Sequence, residues 1–559
     1  MPTPVLVQRS CNASRGSNQV TVSGSRDGQL RSAESFSGKG RGTVSGFAVA
    51  APHDLAVRAA ARVADGGGNV VDAVVAAAAA LTVVYPHQCS LGGDLFAILR
   101  SPDGTVRSVN SSGMYGTRPV APLDRMPVAG PLTVTVPGTV AGWEWLLDQG
   151  GGHVPLEQVL RPAIELAEVG APVGAGLAHA MADARRTSAL DGGLRALLVR
   201  SDGTSVGVGD TLRQPGLAAT LRDLADRGLR DFYQGLVGDR TAVAFDRLGI
   251  PVSSHDLADH EVVVEGPLAV TAAGCRVMTS PPNSQGYLLL TSLLALDEYS
   301  RRGLSVDDRA LVDLFAFGGR RREQELADPR WMTVDVEHLL TPDAISRDVD
   351  DLLAGLPRSR TPTSTPTVRA SGDTVAVTAV AADGTAVSLI QSLFQSFGSR
   401  LRDPATGIVF HNRGSFFSVD PTSPNALAPG KRPAHTLMPV VVEHPSGAVS
   451  AFGAMGGRAQ PQIHAQLLRH VLGGAEPAAA VSAPRYLVGR FDRETDSVVA
   501  ESDLPPERLA AVRRSGLEVR VTPPHDDSLG HAMICMLGPD GRLTAGADPR
   551  SDGGVLTRA

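Results

Sequence analysis

The chain has 559 residues, of which 42% are hydrophobic and 20% charged, with a net charge of −6. That balance fits a globular protein with sizeable cores and excludes the basic face that nucleic-acid binding needs. The four cysteines (Cys11, Cys89, Cys275 and Cys535) are scattered; they outline neither a metal cluster nor a disulfide framework and read as reduced thiols.

The first ten residues lack the basic-then-apolar order of a secretory signal, so the expected compartment is the cytoplasm. Residues 1–42 are predicted to be a flexible tail, because 10–42 are rich in Ser, Gly, Arg and Asn and poor in large apolar groups. The stretch from Ala50 to Asp65 predicts a helix start and a helix, stopped by Gly66-Gly67-Gly68. Asn69 opens an alanine-rich helix ending near Val84. It is too short to span a bilayer and carries Asp72, so it predicts a buried helix and no membrane partner.

Strands are predicted at 95–100 and 106–110 around Pro102-Asp103-Gly104. Helices are predicted at 156–169, 217–227 and 287–296. Residues 356–369 hold three prolines and many hydroxyls and read as an exposed linker. Two hairpins follow: 374–380 with 385–393 around Asp383-Gly384, and 438–443 with 449–453 around Pro445-Ser446-Gly447. A helix over 463–472 completes the pattern. Strand pairs followed by long helices predict stacked layers of α and β.

The segment GDTVAVTAVAADGTAVSLIQSLFQSFGS, from Gly372 to Ser399, resembles the start of the small subunit in γ-glutamyltransferases. Further segments fall in the same order: GGGNVVDAVVAAAAALTVVYPHQCSLGGDLFAIL, VTVPGTVAGWEWLL, SPPNSQGYLLL, FHNRGSFFSVDPTSPNALAPGKRPAHTLMPVVV and FGAMGGRAQPQIHAQLL. Together they are similar to that family of N-terminal-nucleophile hydrolases, in the branch with amidohydrolases and cephalosporin-acylase-like members. The resemblance implies an α+β fold, the four-layer αββα sandwich. It implies self-cleavage between Asp373 and Thr374, giving a large subunit (43–373) and a small one (374–559) that stay together as an interwoven heterodimer. Thr374 then becomes the nucleophile, with its own α-amino group as base. A threonine hydroxyl needs a base beside it, and an α-amino group with a pKa of about 8 suits that task.

On the same resemblance, Gly456 and Gly457 supply oxyanion-hole N–H groups, where the lack of a Cβ permits close approach. Ser392 falls where the family has a second hydroxyl, or is a plain strand serine. The pocket departs from the family pattern. No arginine occurs in 110–117; Phe394 stands for an asparagine, an acidic residue is replaced near Phe416, and His435-Thr436 stands for a hydroxyl pair. Asn412 and Arg413 lie in the same pocket segment. Arg413 either pairs with a substrate carboxylate or ties down its loop, and His435 either binds substrate or holds the glycine loop. The expected reaction is acyl transfer or hydrolysis on a small-molecule amide of γ-glutamyl type, with no metal or organic cofactor. The alternatives are an amidohydrolase or acylase acting on a non-glutamyl amide, and an unprocessed binding protein. His525, Asp526 and Asp527 read as a solvated loop, not a metal site.

Overall fold

Polar residues at the start of the alanine-rich run fix where its helix begins. A computed structural model describes residues 46–187, 191–200, 202–355, 373–490 and 495–558; the expected tail at 1–42 and the linker at 356–369 lie outside these. The helix α1 spans Asp54–Asp65 and α2 spans Val70–Val84. Asn69 caps α2 by accepting the Val71 and Asp72 N–H groups, while Asp72 accepts the Asn69 N–H. All of α2 is buried, and its small alanines let it lie close against a sheet.

The first large sheet uses β1 (Phe47–Ala51), β2 (Asp94–Arg100), β3 (Val106–Asn110) and β4 (Val263–Glu265). The second begins with β5 (Leu268–Ala272) and β6 (Cys275–Thr279). The helices Tyr287–Arg301 and Asp308–Glu325 follow. Then β7 (Asp373–Ala381) and β8 (Ala386–Phe394) form the predicted hairpin in the first sheet. The second sheet gains β9 (Val440–Glu443), β10 (Val449–Ala454), β11 (Ala532–Leu537) and β12 (Leu543–Ala547), and β13 (Gly554–Arg558) returns to the first. The spatial orders are β13-β1-β7-β8-β2-β3-β4 and β12-β11-β10-β9-β6-β5.

Three apolar clusters define four layers. One joins α1 and α2 to Leu95, Val375, Val377 and Leu389 of the first sheet. A second lies between the sheets and includes Phe96, Ala376, Ile390, Val441 and Cys535. The third packs the helices Tyr287–Arg301, Asp308–Glu325 and Gln460–Leu472 on the second sheet. The architecture is the αββα sandwich expected from the sequence.

Some element boundaries differ from expectation. Ala50 lies in β1, and α1 starts only at Asp54, with His53 as its N-cap. All five residues of β1 are buried, so no polar alternation marks it as a strand. The helix after β10 also begins earlier than expected, at Gln460 with Pro461 in its first turn. Among the described residues, no helix is long and apolar enough to cross a membrane.

The sheets lie close together at Gly453. A Cβ there would stand 2.8 Å from the Ala376 Cβ and 3.1 Å from Thr378 Cγ2. Gly453→Val is therefore expected to destabilise the protein by about 1–3 kcal/mol, seen as a lower melting temperature. Gly176→Ala, which meets open space within 4 Å, is expected to leave the melting temperature nearly unchanged.

Candidate active site

Strand register gathers the site. Thr374 pairs with Ser392, and Ser392 pairs with Asp94, giving one row across β7, β8 and β2. Residues two apart share a face of a strand. Ala376, Ile390 and Phe96 belong to the cluster between the sheets, so all three polar side chains face it. Thr374 Oγ1 lies 2.9 Å from Ser392 Oγ, and the Phe394 N–H donates to Ser392 Oγ at 2.8 Å. The ladder shifts between Ser392 and Phe394, where Phe394 adopts φ 77°, a costly conformation for a bulky residue. Asp373 contributes backbone to the first position of β7.

The second sheet brings the glycine pair to the same end. Cys535, the partner of Ala451, bonds to the Thr378 carbonyl, and Gly453 lies over Ala376. From there β10 runs toward Thr374 and delivers Gly456 and Gly457 into a short turn before the helix Gln460–Leu472. Gly457 has φ 51°, a left-handed conformation that suits glycine. Among the described residues, neither glycine N–H has an acceptor. Gln285 Nε2 donates to the carbonyls of Thr436 and Gly457 at 2.9 and 2.8 Å, holding the two loops together.

Asp94 organises the polar wall. His435 Nε2 lies 3.1 Å from Asp94 Oδ2, while His435 Nδ1 accepts the Leu437 N–H at 3.2 Å. These partners place the proton on Nε2. His411 accepts the Arg413 N–H through Nδ1 and lies 3.1 Å from the Thr135 carbonyl through Nε2. Burial pushes the Asp94 carboxyl up, but His411, His435 and Arg413 outweigh it and hold it at about 2. Burial, aided by Arg413 and opposed by Asp94, pushes His435 down to about 3. Burial also pushes Arg413 down to about 9, against the pull of Asp94, which leaves it charged at neutral pH.

The expected pocket residues divide by what they have left to offer. Both ring nitrogens of His435 are taken, and it bonds Asp94 instead of the glycine loop. Asn412 is committed to Gln395 and the Val128 carbonyl. Thr436 accepts one bond from Arg413 Nη1 at 3.3 Å. Arg413 is 1% exposed, and its Nε and Nη2 have no partner among the described residues. The sequence reading missed Asp94, Gln285 and Arg458. The one visible signal was a charged residue, Asp94, just before the apolar run Leu95–Leu99 and after Gly92-Gly93.

The layered fold, with a threonine near the start of a buried central strand, is that of the N-terminal-nucleophile hydrolases. The Gamma-glutamyltranspeptidase family model matches residues 56–557, and the chain belongs to that family. It is 37% identical over 528 residues to the oxamate amidohydrolase proenzyme of Klebsiella pneumoniae, covering 91% of this chain and 97% of that protein. It is 32% identical over 522 residues to the glutathione hydrolase-like YwrD proenzyme of Bacillus subtilis, covering 91% and 98%. The cephalosporin acylase structure from Bacillus halodurans superimposes with a TM-score of 0.79 at 29% identity, covering 94% of this chain and 99% of that one.

The buried neutral imidazole has a consequence in acid. The unfolded His435 takes a proton near its ordinary value of 6.5, and the folded one only near 3. Its contribution to stability is therefore complete above pH 6.5 and declines as pH falls toward 3. His435→Gln is expected to flatten the fall in urea stability between pH 6 and 4 by up to about 1.4 kcal/mol per pH unit. An unchanged slope would show that His435 is not buried neutral.

Proposed function

We propose that the protein is a self-processing amidohydrolase whose nucleophile is Thr374 and whose acyl substrate is small and anionic. Cleavage of the Asp373–Thr374 bond frees an α-amino group beside the threonine hydroxyl. The amine takes the hydroxyl proton as Oγ1 attacks the amide carbon. Ser392, bonded to that oxygen, favours its negative form. The Gly456 and Gly457 N–H groups receive the developing oxyanion, at a helix start where the backbone dipoles add to the effect. The amine product leaves with the proton, and water then releases the acyl group from Thr374. Fragments 1–373 and 374–559 remain one heterodimer.

The observation that carries this reading is the 2.9 Å contact of Thr374 with Ser392 at the sheet end reached by two glycine N–H groups that have no acceptor among the described residues. The choice of acyl group rests on the pocket. Phe394 and Phe416 pack ring to ring at 5.6 Å and offer no carboxylate for a glutamyl amino group, whose burial without a partner is costly. Arg413 supplies the cation a carboxylate needs. Similarity to an oxamate amidohydrolase agrees with a compact anionic amide.

Intact mass tests the nucleophile. The wild type is expected to separate into 1–373 and 374–559, and Thr374→Ala to stay whole. Ser392→Ala is expected to lower turnover of processed enzyme by about 10- to 100-fold. Oxamate is expected to be hydrolysed in preference to a γ-glutamyl anilide. A wild type that stays one chain would sink the proposal and favour a binding protein.

A further inference from the structure

Arg413 has a counterpart one residue past the glycine pair. The Arg413 guanidinium carbon lies 3.8 Å from the centre of the Phe394 ring, and that of Arg458 lies 4.8 Å from the centre of Phe416. The two rings touch each other, so two cations are stacked on one aromatic pair. Each arginine is held from one end. Arg413 Nη1 donates to Thr436 Oγ1, and Arg458 Nη1 lies 3.6 Å from Glu323 Oε1.

The atoms left over match. In both arginines Nε and Nη2 are buried and without a partner among the described residues. Those two N–H groups share one edge of the guanidinium plane and form a fork that fits both oxygens of a carboxylate. Leaving a buried charged donor unmade is costly, and here four are left unmade in one place. The nearby carboxylates do not supply the need. Asp94 is engaged by His435 and the Gly113 N–H, and Glu323 is shared with Arg322.

We propose that Arg413 and Arg458 together clamp a carboxylate at the far end of the acyl group, so that the substrate is the monoamide of a short dicarboxylic acid. This rests on the hydrolase reading above. The span is short because Arg458 directly follows Gly457, which receives the oxyanion, and Phe394 lies two residues past Ser392. The clamp and the reacting carbonyl are thus only a few atoms apart. Phe394 and Phe416 present flat apolar faces that keep both guanidinium planes in place and favour a compact chain between the two ends.

Oxalate, the dicarboxylate left by oxamate hydrolysis, is the probe. Calorimetric titration of purified wild type is expected to show oxalate binding, with inorganic phosphate binding much more weakly. Arg458→Gln and Arg413→Gln are each expected to weaken oxalate by about 10- to 100-fold. Arg458→Lys keeps the charge but lacks the fork, and is expected to stay closer to the Gln variant than to wild type. The preference for oxamate over acetamide falls in parallel. Oxalate affinity untouched by Arg458→Gln, full recovery with lysine, or equal binding of phosphate would overturn the clamp. Processing and binding fail separately. A wild type that binds oxalate but stays one chain sinks the hydrolase reading and leaves the clamp. One that is cut and hydrolyses acetamide as well as oxamate, without binding oxalate, does the reverse.

Discussion

The alignment of three strands is the constraint on which the site depends. Side chains alternate between faces with a period of two, so a slip of one residue in β8 would turn Ser392 toward the helices. Gln391 opposes such a slip. Its side chain faces the helix layer, where its amide donates to the Ala78 carbonyl at 2.8 Å and accepts from the Trp143 indole at 3.1 Å. An amide in an apolar layer is tolerated only where both ends are satisfied, and one register satisfies them. A residue that touches nothing reactive thereby keeps its neighbour Ser392 opposite both Thr374 and Asp94.

The features readable in advance were those coded locally. Asp383-Gly384 between β-branched runs announced the central hairpin, and Asn69 before the alanines announced the buried helix. The strand at Phe47–Ala51 was hidden because burial on both faces erases the alternation that marks strands. At the site, Thr374, Ser392 and the glycine pair could be named from the segments around them. The roles of Asp94 and Gln285 could not, since their partners come from distant parts of the chain: 341 residues separate Asp94 from His435. The open alternatives for Arg413 and His435 turned on which side-chain atoms are already committed, and only tertiary contacts determine that.

Phe394 shows how backbone strain is used here. Its φ of 77° is costly for a residue with a large side chain. The same distortion aims its N–H at Ser392 Oγ and sets its ring beneath Arg413. The polar row and the cationic pocket are thereby fixed to each other through one residue. Gln285 makes a second tie, from the Thr436 loop to the glycine loop.

The strand order carries a kinetic consequence. In the first sheet β1 lies between β13 and β7, and β8 lies beside β2; the second sheet likewise mixes strands from before and after Thr374. A chain opened ahead of Thr374 would consist of two pieces that each own strands in both sheets. Parting them would strip the layer between the sheets, so dilution alone would not separate them. Once unfolded, however, the two pieces would have to meet again before either could rebuild a sheet. Recovery would then be second order and faster at higher concentration, whereas the unbroken chain would refold at a rate independent of it.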